Sequence, residues 1–352
     1  MVETPHWGLA PIDAASRRPV PEESITHGLS ANTPNDQGAS DQRGLAPRRQ
    51  RRGMSDVQRR IFLIDNGSLR ATSTLNLRRL AEAVSEHCGT TVEPVSLLHS
   101  NKVPREQLNG QPARTFGPAA TRAARDGADE ILVIPLFFGP TRAVTEYLPE
   151  RVGQLHEDYP NVRVKVAKPL VDLQGRVDLR LAAALRDGVD SVVADDERPA
   201  VALVDHGSPI PEVTAVRNVL AGQLAALLEG RAERVVGASM ERREGDAYRF
   251  NEPLLENLLD QPGFNNGSVV IAMLFLSPGR HAGPDGDVAG ICREAEERNP
   301  GLRTQMTPLA GDHPALIDIL ADRVYDGLAG EELMLTVGPI NESAAPRNAL
   351  TG

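Results

Sequence analysis

The chain repeats itself. Asp65, Gly67 and Ser68 recur as Asp205, Gly207 and Ser208, 140 residues further on. Leu136, Phe137, Pro140 and Arg142 recur as Leu274, Phe275, Pro278 and Arg280 at a spacing of 138, Pro160 recurs as Pro300 at 140, and Pro169-Leu170 recurs as Pro308-Leu309 at 139. A nearly constant spacing over roughly a hundred residues marks an internal duplication and restricts the chain to folds that one supersecondary plan can build twice. At roughly 100–200 residues per domain, the chain has room for both copies and their tails.

Within each copy, short apolar runs alternate with helical patterns. Ile61-Phe62-Leu63-Ile64 closes on Asp65-Asn66-Gly67-Ser68, as a buried parallel strand does. Leu77, Leu80, Ala81 and Val84 then fall on one helical face over 73–87, with Gly89 as the stop. Further strands are expected at 92–98, 131–138 and 162–166, and helices at 113–126 and 144–157. The second copy predicts strands at 200–204, 235–240 and 269–276, a fourth before Pro308, and helices at 212–228, 253–261, 287–298 and 314–328. This alternation implies an α/β fold: two tandem flavodoxin- or Rossmann-like parallel-sheet domains with helices on both faces, related by internal duplication. The expected divisions are a disordered tail at 1–58, domains at 59–190 and 199–331, a charged linker at 191–198, and a C-terminal tail at 332–352. The first tail is rich in Pro, Ser, Asn, Gln and Arg and has too little apolar surface to offset its ordering entropy. Met54, at its end, is the expected start of translation.

Composition removes several function classes. A net charge of -10 and an aromatic content of 3% argue against nucleic acid as a partner. No apolar run approaches the ~20 residues that span a bilayer, so no membrane association is expected. Cys88 and Cys292 form no CxxC pair, which fits a reducing, cytoplasmic setting. Nucleotide-binding glycine loops and a GxSxG nucleophile elbow are both missing from the sequence.

The copies differ where chemistry is expected, beyond the carboxyl ends of the strands. After its first strand the second copy has His206 where the first has Asn66. After its third strand it has His281 where the first has Ala143. Glu241 follows its second strand, and the position is matched to His99; Glu244 and Glu252 are alternatives for that carboxylate. Two imidazoles and a carboxylate suit Fe2+, Co2+ or Ni2+, and the same groups accept protons near neutral pH. Ser208 and Ser68 survive in both copies, as caps of the following helices or as polar contacts to a substrate. Arg142 and Arg280 also survive, as loop anchors or as partners for carboxylates.

Asp205-His206-Gly207-Ser208, then Leu274-Phe275-Leu276-Ser277-Pro278-Gly279-Arg280-His281 with Asp285 beyond it, then Pro308-Leu309 with His313-Pro314-Ala315-Leu316, resemble the class II chelatases. Within these, the likeness is to the sirohydrochlorin chelatases of sirohaem and cobalamin synthesis. The resemblance spans roughly 59–331. It implies a metal chelatase, a lyase that forms nitrogen–metal bonds, with a divalent metal as substrate and no organic cofactor. It assigns metal binding to His206 and His281, a catalytic carboxylate to Glu241, and tetrapyrrole contacts to Ser208, Arg280, Arg142 and Ser68. The implied partner is sirohydrochlorin or a related tetrapyrrole enclosed between the halves. A carrier that binds tetrapyrrole or metal without turnover is the competing reading.

Overall fold

The computed structural model describes residues 57–330 and 333–337. The first copy folds as β1 (Arg59–Asp65), α1 (Ala71–Cys88), β2 (Val92–Ser96), α2 (Phe116–Arg125), β3 (Glu130–Pro135), α3 (Leu148–Asp158), β4 (Arg163–Ala167) and α4 (Arg180–Asp190). The second repeats the order as β5 (Ala200–Asp205), α5 (Pro211–Leu227), β6 (Arg234–Ser239), α6 (Leu255–Leu258), β7 (Gly267–Met273), α7 (Asp287–Arg298), β8 (Leu302–Met306) and α8 (Ala315–Ala329). A last strand, β9, spans Leu333–Val337. The strand orders are β2-β1-β3-β4-β9 and β6-β5-β7-β8, parallel throughout except for β9, which runs antiparallel to β4.

The strands are apolar on both faces because both faces are covered. On β1, Ile61 and Leu63 point into a central core between the sheets, while Phe62 and Ile64 point into an outer core with α2 and α3. On β5, Val201 and Leu203 join the central core, and Ala202 and Val204 join a second outer core with α6 and α7. Successive strand residues alternate between faces, so each strand reads as a continuous apolar run. The central core draws on both copies and holds α1, α4, α5 and α8.

The helices at the copy ends cross over. α4, which ends the first copy, packs on α5 and β7; α8, which ends the second, packs on α1, β3 and β4. The crossing is close, since a Cβ on Gly327 of α8 would lie 2.5 Å from the Leu132 side chain of β3. Buried Arg323 of α8 donates to the carbonyls of Pro169 and Leu170 at 3.0 and 3.2 Å. The expected division at 190/199 therefore separates the copies in sequence, but not the packing units.

Other expectations need correction. α4 was not anticipated, although Leu181, Leu185 and Val189 carry its buried stripe. The helix expected at 253–261 is regular only over Leu255–Leu258, bracketed by Pro253 and Pro262, which cannot donate backbone hydrogen bonds. The expected helix at 144–157 opens with a π turn over Ala143–Tyr147. The expected C-terminal tail supplies β9. The expected N-terminal tail and Met54 lie outside the described residues, except for Val57 and Gln58, whose backbone N–H donates to Asp129. Among the described residues, no helix is long and apolar enough to cross a membrane.

Candidate functional site

The site forms where two turns of the second copy touch. Gly207, just beyond β5, has φ +91°, and a Cβ there would fall 1.9 Å from the Glu241 carbonyl oxygen. Only glycine combines that conformation with that approach. Across the contact, the Glu241 N–H donates to the His206 carbonyl at 3.2 Å, which sets the two side chains together: His206 Nε2 lies 3.4 Å from Glu241 Oε1. His281, on the loop after β7, completes the group. Its ring centroid is 4.6 Å from that of His206, at an interplanar angle of 72°.

The partners of the two rings differ in what they impose. His206 Nδ1 lies 3.1 Å from the Gly207 carbonyl oxygen, and His281 Nδ1 lies 2.7 Å from Asp287 Oδ2. A carboxylate oxygen only accepts, so in the neutral ring His281 Nδ1 carries the proton and Nε2 keeps its lone pair, whereas His206 has an accepting oxygen beside each nitrogen, the Gly207 carbonyl at Nδ1 and Glu241 Oε1 at Nε2. Asp287, at the start of α7, also pairs with Arg280 at 3.5 Å. The side chains of His206 and Glu241 are 47% and 59% exposed, and that of His281 is 29% exposed, so a ligand can reach all three. Among the described residues, no three His, Cys, Asp or Glu side chains close into a metal cage. The arrangement is open, with the two imidazoles against each other and the Glu241 carboxylate beside that of His206.

A buried polar network holds the turn from below. Asp205 Oδ1 accepts from the Gly207 N–H at 3.1 Å and from Ser239 Oγ at 2.7 Å, and lies 3.9 Å from Arg217 Nη1. Arg217, 1% exposed, donates to Ser239 Oγ and to the Asn251 carbonyl at 2.6 and 2.8 Å. Asn251 accepts from the Ser208 N–H and donates back to the Ser208 carbonyl, tying the long 242–251 segment to the His206 turn. Burial raises the pKa of Asp205, a shift opposed by the Ser239 hydrogen bond and the Arg217 charge.

In the first copy the frame persists without these groups. Its Gly67 faces the Leu98 carbonyl as Gly207 faces that of Glu241, and the Leu98 N–H donates to the Asn66 carbonyl. Leu98, not His99, is therefore the counterpart of Glu241, because three fewer residues separate the two turns. Asn66, Leu98 and Ala143 stand where the second copy has His206, Glu241 and His281. The position of Arg217 is taken by Leu77, so Asp65 is left without a buried cation; burial pushes its pKa up to about 6.

The remaining expected residues have local partners. Ser208 Oγ and Ser68 Oγ accept the N–H groups of Ile210 and Arg70, both at 3.0 Å. Arg142 pairs with Glu146 at 2.7 Å and is exposed. Glu252 pairs with Arg242 and accepts the Leu254 N–H, while Glu244 is exposed. His313 Nδ1 accepts the Ala315 N–H at the start of α8. Sequence reasoning missed Asp287, Asn251 and Arg217. Arg217 was detectable as a lone charge between Val216 and Leu220 on the buried stripe of α5. It quoted Asp285, whereas Asp287 meets His281.

The sequence profile of the CbiX family matches residues 60–175 and again 200–327. No curated protein matches the chain in sequence. Among solved structures, SirB from Bacillus subtilis with Fe3+ superposes with a TM-score of 0.59 at 17% identity, over 78% of this chain and 99% of that one. The sirohydrochlorin chelatase SirB from Bacillus subtilis subspecies spizizenii, in complex with cobalt, gives 0.57 at 16% identity over 78% and 99%. DR2241 from Deinococcus radiodurans, a multi-domain protein with structural similarity to chelatases, gives 0.50 at 16% identity over 76% and 54%. At these identities the likeness is one of fold.

Proposed function

Since the chain belongs to the CbiX family, we propose that it is a sirohydrochlorin chelatase, which inserts a divalent metal into a tetrapyrrole for sirohaem or cobalamin synthesis. The observation that carries this reading is the grouping of His206, His281 and Glu241 beyond the carboxyl end of the second sheet, with all three side chains open to solvent. The Fe3+ and cobalt in the SirB structures support iron or cobalt as the substrate. Imidazole and carboxylate also accept Ni2+.

In this mechanism His206 Nε2 and His281 Nε2 hold the incoming metal, with Asp287 keeping the His281 ring in its ligating tautomer. Two protein nitrogens leave coordination positions open for the pyrrole nitrogens. Insertion releases two protons from the macrocycle as two of its nitrogens bond to the metal. Glu241 accepts them in turn and passes them to solvent, to which it is exposed. Once the macrocycle supplies the ligands, the two protein bonds break and the product leaves. Arg142 and Arg280 meet the substrate's carboxylates by exchanging their present partners, Glu146 and Asp287.

The test is optical. Sirohydrochlorin is mixed with Co2+ or Fe2+, with and without protein, and metallation is followed by absorbance. Acceleration over the protein-free rate is expected. Binding of the macrocycle with no acceleration would replace the chelatase reading with that of a carrier.

A further inference from the structure

The two copies touch at a pair of equivalent places, and the two contacts differ in chemistry. On α5, Val216 faces Gly139 of the loop after β3, so closely that a Cβ on Gly139 would lie 3.0 Å from Val216 Cγ2. The matching position on α1 is Asn76, and the residue it faces, at the place of Gly139, is Ser277 in the loop after β7. Here the contact is polar. Asn76 Nδ2 donates to Ser277 Oγ at 2.9 Å and to the Leu276 carbonyl at 3.1 Å. Ser73 Oγ, where the second copy has Val213, donates to the Pro278 carbonyl at 3.1 Å. Arg79 fixes the amide's orientation by donating to Asn76 Oδ1 at 2.8 and 3.2 Å. Both Ser73 and Asn76 are buried.

The difference follows the chemistry of the loops. The loop that meets the other copy through the Val216 packing contact continues to Ala143, and is tied within its own copy by the Leu170 and Val171 N–H groups; the loop that meets the other copy through side-chain hydrogen bonds continues from Pro278 to His281. A van der Waals contact fixes a separation but leaves rotation about it soft. Hydrogen bonds to three successive residues also fix the direction in which the chain leaves. Metal–nitrogen distances tolerate only about 0.2 Å of error, so the direction of the His281 loop matters and that of the Ala143 loop does not. On the other side, Gly311 lies so close that a Cβ would sit 2.0 Å from the Leu276 oxygen, and the loop is clamped between the two.

We infer that the first copy is a positioning element of the metal site: Asn76, assisted by Ser73, holds the His281 loop so that the His281 ring stands against that of His206. The inference rests on the reading of these histidines as the metal-holding pair. It gives the copy without histidines a role in the chemistry of the other.

The experiment uses the full chain and Co2+ alone as the probe. Asn76→Val installs the side chain found at the reciprocal contact; Ser277→Ala removes its partner. Co2+ affinity is read by titration, and the imidazole nitrogens of His281 by two-dimensional NMR, with His156 as a distant reference. Asn76→Val is expected to weaken Co2+ binding at least tenfold and to shift or broaden the His281 signals, leaving those of His156 in place. Asn76→Asp keeps the Ser277 hydroxyl contact and should retain part of the affinity, and Asn76→Val combined with Ser277→Ala should be no worse than Asn76→Val alone. Wild-type Co2+ affinity and wild-type His281 signals in Asn76→Val would overturn the inference, whatever happens to stability. If Asn76→Val does not fold, Ser73→Ala decides by the same readouts. If the wild type binds Co2+ no better than the double variant His206→Ala/His281→Ala, the metal-site reading fails, and the His281 signals of the Asn76 variants still show whether the loop is held.

Discussion

Asp65→Asn is expected to stabilise the protein, and by an amount that grows with pH. Asp65 keeps its place in the frame of the first copy, but the position that holds Arg217 in the second copy holds Leu77. Burial raises its pKa from 3.8 to about 6, opposed only weakly by hydrogen bonds from Ser96 and Gly67, and its Oδ1 has no partner among the described residues. The raised value means that the fold favours the protonated acid. Its contribution to stability is fully present below the unfolded pKa and is lost as pH rises through about 6. The rise from 3.8 to about 6 corresponds to roughly 3 kcal/mol. About half of that, roughly 1.4 kcal/mol, disappears between pH 5 and pH 8, and the rest at lower pH. Asparagine has the shape of the acid and no charge to desolvate. Urea denaturation at pH 5 and pH 8 should therefore show an advantage for Asp65→Asn that is about 1.4 kcal/mol larger at pH 8. An advantage independent of pH, or a variant weaker than wild type at pH 8, would show that the buried carboxylate is not strained and that this reasoning is wrong.

Three more substitutions probe the second copy. Arg217→Met leaves Asp205 buried beside no cation and should lower stability by about 3–5 kcal/mol in urea, well beyond the effect of Leu77→Met at the matching position. Gly207→Ala forces a Cβ against the Glu241 carbonyl and should abolish Co2+ binding with a large fall in melting temperature, whereas Gly245→Ala, at φ +98° but in open space, should lose only about 1 kcal/mol. Asp287→Ala frees the His281 ring and should weaken Co2+ binding about 10–100-fold by titration, with Asp287→Asn, which still accepts the ring proton, losing less.

The fold was legible because the duplication supplied two readings of one plan. Ile61 to Ile64 and Ala200 to Val204 are apolar without alternation, as strands covered on both faces must be, and both lie in first strands of their copies, each between two parallel neighbours. The crossing of α4 and α8 was not legible: a buried stripe says that a helix packs, not on which sheet. β9 was lost for a related reason, since an edge strand of five residues carries little pattern. Of the candidate site, the two histidines stood out because the copies could be compared position by position. The counterpart of Glu241 did not, since the loops differ in length and only the hydrogen bonds to Asn66 and His206 fix the register. Asp287 and Asn76 were out of reach, because their roles depend on contacts formed only in three dimensions.

The measurement closest to the central claim is the rate of Co2+ insertion into sirohydrochlorin by wild type, His206→Ala, His281→Ala and Asn66→Ala, each against a protein-free control. The account predicts that both histidine variants fall to the uncatalysed rate while Asn66→Ala keeps the wild-type rate. Retention of the wild-type rate by either histidine variant, or its loss in Asn66→Ala, would contradict the placement of the reaction in the second copy.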